Sequence, residues 1–148
     1  MPTVRSNREI VRDAFAEWAT GNGHVTSIFA PNMTFQVTGR SAVARRYDNT
    51  QQFLDEVLHP FGARFSPTAP FRPTKIHGIY ADDQQNVVAV VWDGQGTTVD
   101  GTTYQNTYAW FLTLADGLVV DGTAFFDSIA FNELWENVKP RESVKAPE

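Results

Sequence analysis

The sequence predicts an α+β domain, with helices on one side of an antiparallel sheet, and three observations carry that prediction. Apolar residues recur at helical spacing over residues 10–18 and 53–58. From residue 74 the period changes to two. Turn signals then punctuate the chain at 82–86, 100–101 and 115–117. With 148 residues and no repeat or low-complexity segment, a single domain spanning 1–148 is expected, its core at about 6–138.

Each element follows from local chemistry. Ser6 and Glu9 have the spacing of a capping box, and Ile10, Val11, Ala14, Phe15 and Trp18 form the apolar stripe of a helix that Gly21 and Gly23 stop. "HVTSIFA" suits a short helical turn before Pro31, and "MTFQV" alternates as a brief strand. Asp48 is placed to cap a second helix with Phe53, Leu54, Val57 and Leu58 on one stripe, which Pro60 should terminate. Pro67, Pro70 and Pro73 mark an extended connection. Four strands follow at about 74–81, 87–98, 103–114 and 118–126, and Asp127 caps a closing helix that ends in a polar, frayed tail over 139–148.

Composition narrows the function classes. The chain has no cysteine, which removes disulfides, thiolate metal sites and cysteine nucleophiles. Its net charge of -5, with basic residues clustered only at Arg40, Arg45 and Arg46, argues against nucleic-acid binding. His24, His59 and His77 are too dispersed for a metal-ligand pattern, and no cofactor motif occurs, so neither metal nor cofactor is expected. The start lacks a secretory signal and no apolar run is long enough to span a bilayer, so a soluble, cytoplasmic protein without membrane contact is expected.

The stretch "TTYQNTYAWFL" carries the functional argument. As a strand, it puts Tyr104, Asn106, Tyr108, Trp110 and Leu112 on one face, an unusual set for a face that only fills a core. A two-residue turn at Asp100 and Gly101 would set Asp93 opposite Tyr108, Gln95 opposite Asn106 and Val91 opposite Trp110. Those residues, with Trp18 and Phe53 from the helix stripes, would then line one pocket for a hydrophobic, oxygenated small molecule. A three-residue turn would shift the register by one and put Trp92 inside instead. Asp93 before Gly94 also suits a strand-end bulge whose carboxylate sits in water.

The element order, together with "VVAVVWDGQGTTVDGTTYQNTYAWFLTLADGLVVDGTAFFD", resembles the SnoaL-like branch of the nuclear transport factor 2-like, or ketosteroid isomerase-like, superfamily. The resemblance implies a cone of curved sheet wrapped on the N-terminal helices, with a short C-terminal helix. Carried over by position, the superfamily's functional residues mostly fail to match. The isomerase base falls near Val37 or Thr38 and its acidic donor near Trp110. The epoxide hydrolases' arginine falls at Val91, their last-strand aspartate at Ala124, and their first-strand pair at Phe35 and Val37, while the cyclases' aspartate also falls at Ala124. Of these functional residues only the epoxide hydrolases' second aspartate survives, as Asp93, while Asp127 matches a recurrent aspartate consistent with a structural cap. Two readings stay open: a cofactor-independent lyase, isomerase or hydrolase using Asp93 for proton transfer with Tyr108, and a non-catalytic binding or carrier domain. A homodimer through the sheet is expected, because Phe111 and its threonine-rich face, with Val88, Val90 and Trp92 beside them, would expose more apolar surface than a monomer usually shows.

Overall fold

Ser6 opens the first helix as its spacing from Glu9 predicts. The Ser6 hydroxyl accepts from the Glu9 N–H at 3.1 Å and the Glu9 carboxylate accepts from the Ser6 N–H at 2.9 Å. The computed structural model describes residues 5–141. In chain order the elements are α1 (Asn7–Thr20), a 3-10 turn (Val25–Ile28), β1 (Phe29–Val37), β2 (Arg46–Tyr47), α2 (Thr50–Phe53), a π-helical turn (Leu54–Leu58), α3 (His59–Gly62), β3 (Arg72–Asp82), β4 (Val87–Thr97), β5 (Thr103–Ala115), β6 (Leu118–Phe126) and α4 (Ser128–Asn137).

The second helical segment departs from expectation at both ends. Asn49, one residue after Asp48, is the cap, its side chain accepting from the Gln52 N–H at 2.8 Å. Nor does Pro60 end the helix. The His59 N–H reaches back to the Leu54 carbonyl, and this wider turn runs straight into α3 with Pro60 in its first turn.

The sheet order is β2-β1-β6-β5-β4-β3; β1 runs parallel to β6 and every other pair is antiparallel. The expected antiparallel meander is therefore β3 to β6, extended into a mixed sheet by the N-terminal strand. Register shifts between Pro73 and Lys75 and between Ile76 and Gly78 mark where β3 bends, and the sheet curves without closing. Pro73 is tolerated because β3 is an edge strand.

The central hairpin has a three-residue turn. The Thr98 N–H donates to the Thr102 carbonyl at 2.8 Å, the Gly101 N–H to the Thr98 carbonyl at 2.9 Å, and Gly101 takes φ 86°, which favours glycine. Trp92 therefore pairs with Tyr108, Asp93 with Thr107 and Gln95 with Gln105. A one-residue slip turns every side chain of β4 over. Its inner face is Val88, Val90 and Trp92, all buried, followed by Gly94 and Gly96. The two glycines leave room for Phe71, since a Cβ on Gly94 would lie 2.1 Å from the Phe71 ring and one on Gly96 2.8 Å from the Phe71 backbone.

Asp127 caps α4 as expected, accepting from the Ile129 N–H at 2.9 Å. The far end of α4 is tied down by Arg64, which donates to the Trp135, Val138 and Pro60 carbonyls at 3.0, 2.8 and 2.9 Å. The first residues of the polar tail are docked, the Arg141 N–H bonding the Ala63 carbonyl at 2.8 Å, so fraying does not begin at residue 139. The rest of the tail, from 142, lies outside the described residues. No helix among the described residues is long and apolar enough to cross a membrane.

Candidate functional site

Inside the curve of the sheet, under the helices, lies a cavity of about 220 Å³. The inner face of β5 gives it Tyr108 and Trp110, β4 gives Trp92, β1 gives Phe35 and Val37, and β6 gives Ala124 and Phe126. Trp18 of α1 closes one side. The segment from α2 to α3 closes another with Phe53, Val57, Leu58, Phe61 and Gly62; His24, Val43, Pro70, Phe71 and α4's Phe131 complete the wall. The rings brace one another: Trp92 stacks on Tyr108 with centroids 4.5 Å apart, and Phe35 stacks on Phe53 at 4.2 Å. Such a wall is costly to deform, so the cavity is built into the core.

Of the residues singled out from sequence, Tyr108, Trp110, Phe35, Val37, Trp18 and Phe53 line this cavity. Tyr104 and Asn106 are buried behind it: the two tyrosine hydroxyls are 2.8 Å apart, and the Asn106 amide donates to the Tyr104 oxygen at 2.8 Å and to the Asp127 carbonyl at 3.0 Å.

Asp93, Gln95 and Val91 are not in the cavity. The three-residue turn sends them to the outer face of the sheet, where Gln95 is exposed and Val91 half-buried. There Asp93 accepts from the Thr107 hydroxyl at 2.6 Å and lies 3.0 Å from His77 Nε2. These partners, Thr107 first, hold its carboxyl below the usual aspartate range, the opposite of the upward shift that proton transfer from a buried acid requires. Asp93→Asn is accordingly expected to leave the affinity of a cavity ligand unchanged within about twofold, a substitution on the far side of the sheet. A larger change, measured by calorimetry, would put Asp93 back in the site.

No Asp, Glu, Lys or Arg of the described residues lines the cavity. Its polar groups are His24, Tyr108 and the indoles. Burial pushes the Tyr108 hydroxyl well above its ordinary pKa and raises that of Tyr104, so both are neutral donors near pH 7. Burial, assisted by the charge of His59, pushes His24 down to about 4. The Nε1 atoms of Trp92 and Trp110 are buried without a hydrogen-bond partner among the described residues. His24 and Trp92 are the polar cavity residues absent from the sequence-derived set; the alternative turn length pointed to Trp92, whereas nothing in the spacing of the histidines pointed to His24. No group of three or more His, Cys, Asp or Glu able to hold a metal occurs among the described residues.

No family model and no curated protein matches the chain. Solved structures do. A Burkholderia thailandensis NTF2-like protein superposes with a TM-score of 0.66 over 90% of this chain and 99% of its own, at 17% identity. The fold is nuclear transport factor 2-like. Two further solved structures superpose over most of their length. A Xanthomonas campestris protein of unknown function with a cystatin-like fold superposes with a TM-score of 0.69 at 18% identity, over 88% of this chain and 98% of its own. TerC, co-crystallised with polyporic acid, superposes with a TM-score of 0.66 at 18% identity, again over 88% and 98%.

Proposed function

We propose that this NTF2-like chain binds a hydrophobic, oxygen-bearing ring compound in the cavity and acts as a binding or carrier domain. The observation that carries the reading is an aromatic wall free of carboxylates, with neutral donors set in it. Catalysis by Asp93 loses its support with the move of that residue to the outer face. His24 is a poor replacement: its Nδ1 accepts from the Thr26 N–H at 3.2 Å, which places the proton of the neutral ring on Nε2. The SnoaL-like enzymatic reading, a lyase, isomerase or hydrolase, therefore stands second, resting on the Tyr104–Tyr108 pair as a polarising donor. In either reading the ligand sits beside Trp18, Trp92 and Trp110, whose fluorescence reports it.

Titration with a panel of one- and two-ring compounds bearing carbonyl or hydroxyl oxygens should give saturable quenching and a rise in melting temperature. A ligand at a hundred times its Kd adds about 2.7 kcal/mol of stability. Ala124→Leu, which fills part of the cavity, should abolish the response in a protein whose circular dichroism is unchanged. Failure of every ring compound to shift fluorescence or melting temperature would overturn the reading.

The same reading includes a homodimer through the outer face of the sheet. Phe111 and Phe125 are 41% and 49% exposed with ring centroids 6.0 Å apart. Val88, Val90 and Trp92 are not part of this patch, since all three face the core; Ala89 and Val91 take their place. A dimer is the expected result of sedimentation at micromolar concentration, and a clean 16.5 kDa species would count against it.

A further inference from the structure

We propose that Asn106 sets the direction of the Tyr104–Tyr108 hydroxyl pair so that Tyr108 donates a hydrogen bond into the cavity, and that the ligand is a ring compound presenting carbonyl-type acceptor oxygens. The proposal rests on the reading that the cavity holds a ligand. Its first step is the orientation of Asn106. The side-chain oxygen accepts from the Thr107 N–H at 2.8 Å, and the side-chain nitrogen donates to the Asp127 carbonyl at 3.0 Å. A backbone N–H can only donate and a backbone carbonyl can only accept, so the amide is held one way round. Its remaining N–H is aimed at the Tyr104 oxygen, 2.8 Å away, which must accept.

The two hydroxyls, 2.8 Å apart, share one hydrogen bond, and either could donate it. If Tyr108 donated, Tyr104 would accept from both Asn106 and Tyr108, and its own proton would have no protein acceptor among the described residues. Tyr104 therefore donates to Tyr108, and the Tyr108 proton is the one left over, in a residue that lines the cavity. An unsatisfied buried donor is costly, and a ligand oxygen removes that cost. Successive donation along Asn106, Tyr104 and Tyr108 also polarises the last hydroxyl.

The other polar groups of the wall have the same sense. His24, with Nδ1 occupied as an acceptor, offers Nε2–H, and the indoles of Trp92 and Trp110 carry only donors. No Asp, Glu, Asn, Gln, Ser or Thr side chain of the described residues lines the cavity. A ligand ammonium would find no carboxylate or carboxamide oxygen there, whereas carbonyl oxygens would find donors. Since an apolar cavity of about 150 Å³ holds benzene, one of about 220 Å³ suits a two-ring compound.

The probes that test this are 1,4-naphthoquinone and naphthalene, alike in shape and different in acceptor oxygens. Tyr108→Phe removes the donor. Asn106→Asp turns the relay round, since a carboxylate accepts from Tyr104, which then accepts from Tyr108. In both variants the affinity for naphthoquinone should fall about tenfold, with that for naphthalene unchanged within twofold. The carbonyl stretch of bound naphthoquinone should be lowered by the wild-type protein and should return toward its value in hydrocarbon solvent in both variants. If Asn106→Asp does not fold, Asn106→Leu, which removes the bias without burying a charge, should give part of the same loss. Equal losses for both probes, or an unshifted carbonyl stretch in the wild type, would overturn the donor assignment and leave the cavity reading standing. If neither probe binds the wild type, both fall.

Discussion

Arg64→Met is expected to destabilise the fold by about 3–5 kcal/mol, because three carbonyls lose hydrogen bonds to a charged donor. Arg64 is 7% exposed and its guanidinium bonds three carbonyls, those of Trp135 and Val138 at the end of α4 and that of Pro60 in α3. It also lies 3.9 Å from the centroid of the Trp135 ring. No carboxylate is among these partners. The cation instead meets the negative end of a helix, where carbonyls lack intrahelical donors. Methionine keeps much of the packing volume and leaves three carbonyls unpaired. Lysine keeps the charge but not the planar fork, and should cost about 2 kcal/mol. Urea unfolding measures both. The cavity should feel the change too, because Phe131 stacks on Trp135 with centroids 5.3 Å apart and lines the cavity. Ligand affinity should therefore fall alongside stability in Arg64→Met. A loss of stability below 1 kcal/mol would show that α4 is held mainly by its apolar face.

The elements were legible in the sequence because their signals are local. Ser6 with Glu9, the period-two run of β5 and the cap at Asp127 each need only a few neighbouring residues, and each is found where expected. The face of β5 was legible for the same reason, and with it Tyr108 and Trp110. The face of β4 was not, because it depends on the length of one turn. "DG" suits a two-residue turn, but Thr98 decides otherwise: its hydroxyl accepts from the Asp100 and Thr102 N–H groups, both at 3.2 Å, and lies 2.8 Å from the Thr102 hydroxyl. That one residue of slip exchanged Asp93 for Trp92 and replaced an acid in the pocket with an indole. The remaining wall was hidden for another reason. Val43, Pro70 and Phe71 come from irregular segments, where periodicity carries no information about facing, and Phe71 reaches the cavity only because Gly94 and Gly96 lack side chains. Gly94 and Gly96 thus shape the site without lining it.

Acidification from pH 6.5 to 4 is expected to remove up to about 3 kcal/mol of stability through His24 alone. In the unfolded chain this imidazole titrates near 6.5; in the fold, burial and secondarily the charge of His59 hold it at about 4. A base with a depressed folded pKa makes the unfolded state the one that binds more protons, so stability is complete above 6.5 and declines as pH falls toward 4. The geometry agrees. The ring lies against Trp18 with centroids 4.3 Å apart, and its Nδ1 accepts from the Thr26 N–H at the start of the 3-10 turn, a bond that protonation of Nδ1 destroys. The depressed carboxylates Asp13, Asp82 and Asp93 act in a lower window, because their contributions are lost only as pH falls below about 3.8. His24→Asn separates His24 from the other histidines: asparagine can still accept from the Thr26 N–H and cannot titrate. Urea unfolding at intervals between pH 7.5 and 4 should show the wild type losing stability relative to His24→Asn, with the difference growing by up to one proton's slope. Parallel curves, or an NMR titration of folded His24 near 6.5, would mean that the ring is solvated and not part of the cavity wall.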